Sequence, residues 1–147
     1  MAAARPVALV TGSATGVGAA TALMLAQRGW NVVINYTRSE ADAREAQRAC
    51  EAAGADTLLL RGDVSHDADC KAMPAAAMAR WNRIDALVNN AGTSVFGEHA
   101  KWDAIDAEVF NRILGVNTLG MFQMVRACLP HLKAAQGSIV NVSSVAG

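Results

Sequence analysis

Residues 7–18 read VALVTGSATGVG: an apolar, β-rich run from Val7 to Thr11, then a turn carrying Gly12, Gly16 and Gly18. A short run that is apolar throughout, without alternation, reads as a strand buried on both faces. Beyond the turn, Val17, Ala20, Leu23, Met24 and Leu25 fit a helix closed by Gly29. The three glycines therefore occupy a strand-to-helix turn, where backbone can approach a pyrophosphate closely and helix N–H groups can point at it. An ordinary glycine-rich turn has the same local pattern. A P-loop is excluded, because Ala19 and Ala20 follow Gly18 where Lys and Ser or Thr would be needed.

Working outward, the same unit repeats. Asn31 to Tyr36 (NVVINY) is a second strand, and Ser39 caps a polar, Ala-rich helix from about Glu40 to Ala53 that stops at Gly54. Thr57 to Arg61 (TLLLR) is a third strand, His66 to Trp81 a third helix and Ile84 to Asn89 (IDALVN) a fourth strand. Two helices are expected near Trp102 to Leu114 and Asn117 to Ala134, followed by a fifth strand, Ser138 to Val142 (SIVNV). Apolar strands alternating with helices make βαβ units and a parallel sheet covered on both faces. Right-handed crossovers then predict an α/β, doubly wound, Rossmann-type sheet of three layers in the order 3-2-1-4-5. The expectation is one domain over residues 1–147, incomplete at its C-terminal end.

Composition narrows the function. Of 147 residues, 52% are hydrophobic and 18% charged, with Lys+Arg 13 against Asp+Glu 13. That apolar fraction supplies a core and excludes intrinsic disorder. Zero formal charge and 5% aromatic residues exclude nucleic-acid binding as the main task. Cys50, Cys70 and Cys128 are scattered, as are His66, His99 and His131, so neither a disulfide framework nor a metal site is expected. The first apolar run ends at Gly12, too short for a secretion signal, and nothing is long enough for a membrane helix. The expected location is cytoplasmic.

Ligands of such sheets bind beyond the carboxyl ends of the strands, so the residues after each strand carry the chemistry. The first turn is T-G-x-x-x-G-x-G, and it resembles the short-chain dehydrogenase/reductase family. Further motifs follow in that family's order: Asp63-Val64 after the third strand, Asn89-Asn90-Ala91-Gly92 after the fourth, Asn117 on a helix, and Asn141-Val142-Ser143-Ser144 with Gly147 at the fifth. Together they span essentially the whole chain. The Asn-Asn-Ala-Gly, Asn-Val-Ser-Ser and Asn-Tyr segments are similar to those of 3-oxoacyl-carrier-protein reductases and sugar dehydrogenases.

The resemblance implies an oxidoreductase moving hydride between a nicotinamide cofactor and a small carbonyl or alcohol substrate. It assigns Gly12, Gly16 and Gly18 to the phosphate turn, lined by Ser13, Thr15 and Val17. It gives the adenine amine to Asp63, the ring's flank to Val64, and the adenosine ribose and central cofactor to Asn90, Ala91 and Gly92. Read singly, Asp63 is also a turn cap, Asn90 a strand brace and Asn117 a helix N-cap. Ser144 corresponds to the family's catalytic serine, stabilising charge on the substrate oxygen. Asn117 corresponds to the Asn that kinks its helix and holds a water of the proton relay through its carbonyl. No G-x-S-x-G surrounds Ser144, so a hydrolase triad is not indicated.

The second strand bears on cofactor choice. It ends in Asn35-Tyr36-Thr37-Arg38-Ser39, with no carboxylate before Glu40 to hold a ribose 2′-hydroxyl. Arg38, with Thr37 and Ser39, would instead suit a 2′-phosphate, so NADP is expected, with NAD as the alternative. A solvated loop cation is the plainer reading of Arg38, and Thr15 stands where many NADP-using relatives carry a basic residue.

One departure is large. The family's acid is the Tyr of a Tyr-x-x-x-Lys, which is absent; Tyr36 is the sole tyrosine, on the adenine side. The chain thus reads as the N-terminal portion of a longer reductase, inactive alone. The competing readings are a non-catalytic nucleotide-binding module and a methyltransferase on a related sheet. The latter is disfavoured by the missing carboxylate and by Asn-Asn-Ala-Gly. The helix with Leu119, Met121, Phe122, Met124, Val125, Cys128, Leu129 and Leu132 is more apolar than one sheet-facing stripe needs. A homodimer or homotetramer is therefore expected of the intact parent.

Overall fold

A computed structural model describes residues 4–95 and 105–144. Five strands, β1 (Val7–Val10), β2 (Asn31–Tyr36), β3 (Thr57–Arg61), β4 (Ala86–Asn89) and β5 (Ser138–Asn141), form one parallel sheet in the order β3-β2-β1-β4-β5. Register is set by alignments such as Leu9 with Val33 and with Leu87. The Rossmann-type arrangement expected from the sequence is the one observed.

Helices α1 (Gly16–Gln27) and α2 (Glu40–Ala52) cover one face, and α3 (Asp67–Trp81) with α5 (Gly120–Ala135) the other. Alternate residues along each strand explain the two cores. Ala8, Val10, Val32, Ile34 and Val88 meet α1 and α2 at Ala22, Ala26, Ala43 and Cys50. Leu9, Val33 and Leu87 meet α3 and α5 at Met73, Ala77, Met124 and Cys128. That is why β1 is apolar without alternation: all four of its residues are buried. Close packing also fixes Gly120, where a Cβ would lie 2.6 Å from Val64 Cγ2.

Two local expectations change. Ser39 occupies the N-cap position of α2 without a side-chain bond, and Glu40 and Asp42 in the first turn complement the helix dipole instead. The two helices expected around residue 115 are one continuous run. Helix α4 (Ala107–Leu114), capped by the Asp106 carboxylate on Val109 N–H at 2.8 Å, passes through a π turn (Gly115–Leu119) directly into α5. Gly115, Asn117 and Thr118 interrupt the apolar period and so imitate a helix break. The π turn inserts one residue without ending the helix. Trp102, the expected start of this run, lies outside the described residues.

Candidate functional site

The carboxyl ends of β1 and β4 are joined by hydrogen bonds where the strand order reverses. Thr11 Oγ1 accepts from Asn90 N–H and Ala91 N–H, both at 3.0 Å, and Asn90 Nδ2 donates to the Thr11 and Gly12 carbonyls at 3.0 Å. Gly12 and Gly16 hold φ of 61° and 57°, the left-handed region that disfavours any side chain. Gly18 is excluded from change by space: a Cβ there would lie 2.4 Å from both Asn90 Nδ2 and the Gly12 carbonyl. The first amide bond within α1 runs from Ala19 to the Thr15 carbonyl, leaving the N–H groups of Gly16, Val17 and Gly18 without intrahelical partners. Thr15 and Val17 are exposed at this mouth. Backbone that no Cβ obstructs, beside unpaired first-turn amides, fits the diphosphate of a dinucleotide.

Ser13 is a correction. It is fully buried; its hydroxyl donates to the Val10 carbonyl at 2.8 Å and accepts from Asn35 N–H at 2.9 Å. Its side chain binds β1 to β2 and does not line the turn's mouth.

Asn35, which sequence reasoning passed over, is the centre of this bracing. Its Oδ1 accepts from Gly12 N–H at 3.0 Å, and its Nδ2 donates to the Gly62 carbonyl at 3.0 Å and the Leu60 carbonyl at 3.3 Å. The available signal was a polar residue within the apolar run NVVINY. A buried amide that serves three backbone groups ties the exits of β1, β2 and β3 together.

Beyond β2 and β3 lies a cleft of about 390 Å³, walled by Thr37, Arg38, Arg61, Gly62, Asp63 and His66 among others. Ser39 is exposed next to it. Asp63 Oδ1 accepts from Ser65 N–H at 2.9 Å and Ser65 Oγ at 2.7 Å. Partial burial works to raise the Asp63 carboxyl, yet these bonds, with the charges of His66 and Arg38, hold it below the usual carboxylate value. Asp69, another residue missed, fixes the loop by accepting Asp63 N–H at 2.8 Å. Val64 is the second correction. Its side chain packs against Gly120 in the core, its carbonyl accepts Gln123 Nε2 at 2.8 Å, and it is not among the residues that wall this cleft.

On the opposite side, the chain leaving β4 meets the π turn. Asn117 Oδ1 accepts Thr93 N–H at 2.8 Å and its Nδ2 donates to the Thr93 carbonyl at 2.9 Å. Gly92 lies beside it, with room for a Cβ 3.7 Å from Asn117 Oδ1. Asn117 is therefore inside a helix and not an N-cap. The loop carrying Asn90, Ala91 and Gly92 runs straight to it. Ser144 is exposed just past β5, whose pairing with β4 reaches Val142 N–H on the Asn89 carbonyl at 2.9 Å. Val145, Ala146 and Gly147, the other part of that serine motif, lie outside the described residues.

The cysteines take no part. All three are free and buried, and burial pushes the Cys70 thiol up to about 11 and Cys128 to about 12. Among the described residues no cluster suits a metal ion, and no helix is long and apolar enough to cross a membrane.

Residues 6–147 match the family model described as short chain dehydrogenase. The chain is 44% identical over 143 residues to a Streptomyces violaceoruber protein named "Granaticin polyketide synthase putative ketoacyl reductase 2", covering 97% of this chain and 56% of that one. A short-chain dehydrogenase/reductase from Burkholderia phymatum, solved in complex with NAD, superposes with a TM-score of 0.88 at 30% identity, over 97% of this chain and 50% of that one. A metagenomic short-chain oxidoreductase in complex with NADP gives 0.86 at 33% identity, over 95% of this chain and 62% of that one. The chain spans about half the length of the curated relatives it matches.

Proposed function

Because the chain belongs to the short-chain dehydrogenase family, we propose that it forms the cofactor-binding part of an NADP(H)-dependent oxidoreductase acting on a small carbonyl or alcohol. The observation that carries this reading is the seam at the switch point, where Gly12 and Gly18 lie flush against Asn90 and Ala91 beside the free amides of α1. Gly16, with the exposed Thr15 and Val17, completes the mouth that receives the diphosphate.

When bound, the nicotinamide supplies the hydride donor or acceptor. The chain's own residues bind, orient and stabilise. Asp63 keeps Oδ2 without a donor among the described residues, and its depressed pKa keeps it an acceptor for the adenine amine. Asn90, Ala91 and Gly92 border the adenosine ribose and the middle of the cofactor. Ser144 donates its hydroxyl to the substrate oxygen, stabilising charge there as hydride moves. Asn117, in the π turn, offers a main-chain carbonyl to a relay water while its amide is held by Thr93.

Arg38, with Thr37 and Ser39, receives the 2′-phosphate. A charge-assisted contact of about 1.5–3 kcal/mol makes Arg38→Ala raise the NADPH dissociation constant about tenfold or more. NADH binding should hardly change. Fluorescence titration with both cofactors tests this: equal losses would assign Arg38 a structural role, and a wild type indifferent to the phosphate would overturn the NADP preference.

These 147 residues hold no Tyr-x-x-x-Lys, and Tyr36 closes β2 on the adenosine side. Without that proton donor, worth about 10²–10⁴-fold, the chain alone should show no turnover. Steady NADPH oxidation by material of verified 15.3 kDa mass would refute the inactivity. We further propose self-association through the face bearing Phe110, Leu114, Phe122 and Leu129, all exposed in this structure.

A further inference from the structure

Resting on the NADP(H) reading, we propose that Arg61, from the strand beside β2, is a second specificity-determining residue. It completes with Arg38 a two-guanidinium clamp for the 2′-phosphate. Arg61 ends β3 as the register partner of Tyr36, and the chain leaves β2 straight into Thr37 and Arg38. The two strand ends thus carry their cations into one cleft.

Arg61 is also oriented. Its Nε donates to the Thr37 carbonyl at 3.2 Å, which fixes the guanidinium against the loop that carries Arg38. Its two Nη groups have no hydrogen-bond acceptor among the described residues, and neither does the Arg38 guanidinium, whose charge nonetheless acts on the Asp63 carboxylate. Two carboxylates share the cleft: Asp63, whose Oδ1 is held by Ser65 while Oδ2 has no donor among the described residues, and Asp69, whose Oδ2 accepts Asp63 N–H.

The contrast with two other arginines, Arg80 in the last turn of α3 and Arg83 just before β4, is informative. Arg80 is paired with Asp56 at 2.5 Å and Arg83 with Asp85 at 2.6 Å, so this fold readily gives such cations a carboxylate. At the exits of β2 and β3 two guanidinium groups share a cleft with Asp63 and Asp69, yet neither forms an ion pair with them among the described residues. Neighbouring like charges repel, and a dianion placed between them relieves that repulsion. A guanidinium fork with both Nη groups available suits the oxygens of a phosphate monoester, which a ribose hydroxyl cannot exploit.

The test uses full-length protein and two nucleotides without nicotinamide, adenosine 2′,5′-bisphosphate and 5′-AMP, titrated by calorimetry. Wild type should bind the bisphosphate about tenfold or more tightly than 5′-AMP. Arg61→Ala should weaken the bisphosphate about tenfold and leave 5′-AMP within about twofold. Arg61→Lys, which keeps the charge without the fork, should fall between, and the discrimination should shrink with added salt. A bisphosphate affinity unchanged in Arg61→Ala but lost in Arg38→Ala would overturn the clamp and leave the NADP(H) reading intact. Equal weakening of both nucleotides would also overturn it, assigning Arg61 to loop support through Thr37. Equal binding of both nucleotides by wild type would overturn the NADP(H) reading itself.

Discussion

The strand exits on the β1–β2–β4 side and the flank formed by β5, α4 and α5 belong to one sheet but are held differently. On the first side, Thr11, Ser13, Asn35 and Asn90 exchange bonds across neighbouring strands, and Thr11, Ser13 and Asn35 are nearly or fully buried. On the second, all four residues of β5 are exposed, Val140 and Phe122 stand open, and at its border with β4 the buried Asn89 Oδ1 has no partner among the described residues. An orphaned buried acceptor is costly, as is an uncovered apolar face. The glycine turn is therefore braced by its own contacts, whereas the flank leaves apolar surface open. Changes on the braced side should cost folding stability, and changes on the open side should cost little.

The sharpest test of bracing is Gly18→Ala. The added methyl has no room between Asn90 Nδ2 and the Gly12 carbonyl, so β1 and β4 must separate at their exits. We expect a loss of about 3 kcal/mol and of cofactor binding. Gly16→Ala, at φ 57° but with nothing within 4 Å, should cost only about 1–2 kcal/mol. Denaturant melts of both variants check the ranking, and a smaller loss at Gly18 than at Gly16 would break the comparison.

Next comes Asn35→Ala, which strands the Gly12 N–H and the Gly62 carbonyl; about 2 kcal/mol is expected. Asn141→Ala removes one bond to Asn89 Nδ2 from an exposed residue and should cost less than about 1 kcal/mol. Chemical denaturation of the pair measures the difference directly.

These residues also show what a sequence discloses. The glycines of the turn and Asn90 were legible because positive φ, lack of room for a Cβ and paired carbonyls constrain residue type at fixed spacing. The strands were legible because burial on two faces leaves an unbroken apolar run, as in VALV and NVVINY. Asn35 was not, because its importance lies in three backbone partners brought together only by β2–β3 pairing and the β1 turn. Ser13 and Val64 belong to the right motifs, but side-chain direction, set by local backbone, turns them inward. The π turn eluded reading because Gly115, Asn117 and Thr118 look like a break until Thr93 is seen to hold Asn117.

Acid offers a third, smaller contrast. Burial works to raise the Asp85 carboxyl, but Arg83 and the Val7 N–H hold it below the usual value. Asp63 is lowered likewise. A carboxylate depressed by folding contributes stability that is fully present above its unfolded pKa and is lost as pH falls through the folded one. Stability should therefore hold across neutral pH and decline below the ordinary carboxylate range. Asp85→Asn should cost about 1.5 kcal/mol near neutrality and progressively less in acid. Thermal melts of both proteins from neutral to strongly acidic pH would show the two curves converging; parallel curves would contradict the linkage.

The smallest effect on folding is expected at Phe122, on the open side. The residue is 59% exposed, so truncation leaves no cavity, and the ring's visible contact is the Arg126 guanidinium 5.5 Å from its centroid. In Phe122→Asp the new carboxylate stands one helical turn before Arg126, a spacing that favours an ion pair and preserves α5. Stability should change by no more than about 0.5 kcal/mol. If this face is an interface between copies, the same change buries an unpaired charge at its centre, where an aromatic anchor is worth about 2 kcal/mol, or about thirtyfold in affinity. Light scattering at micromolar concentration should then show a shift toward monomer without any loss of melting temperature, and Leu129→Asp should repeat it. Unfolding on the scale of Gly18→Ala would mean that the open flank carries the fold as firmly as the braced turn. A protein that is monomeric before any substitution would refute the interface.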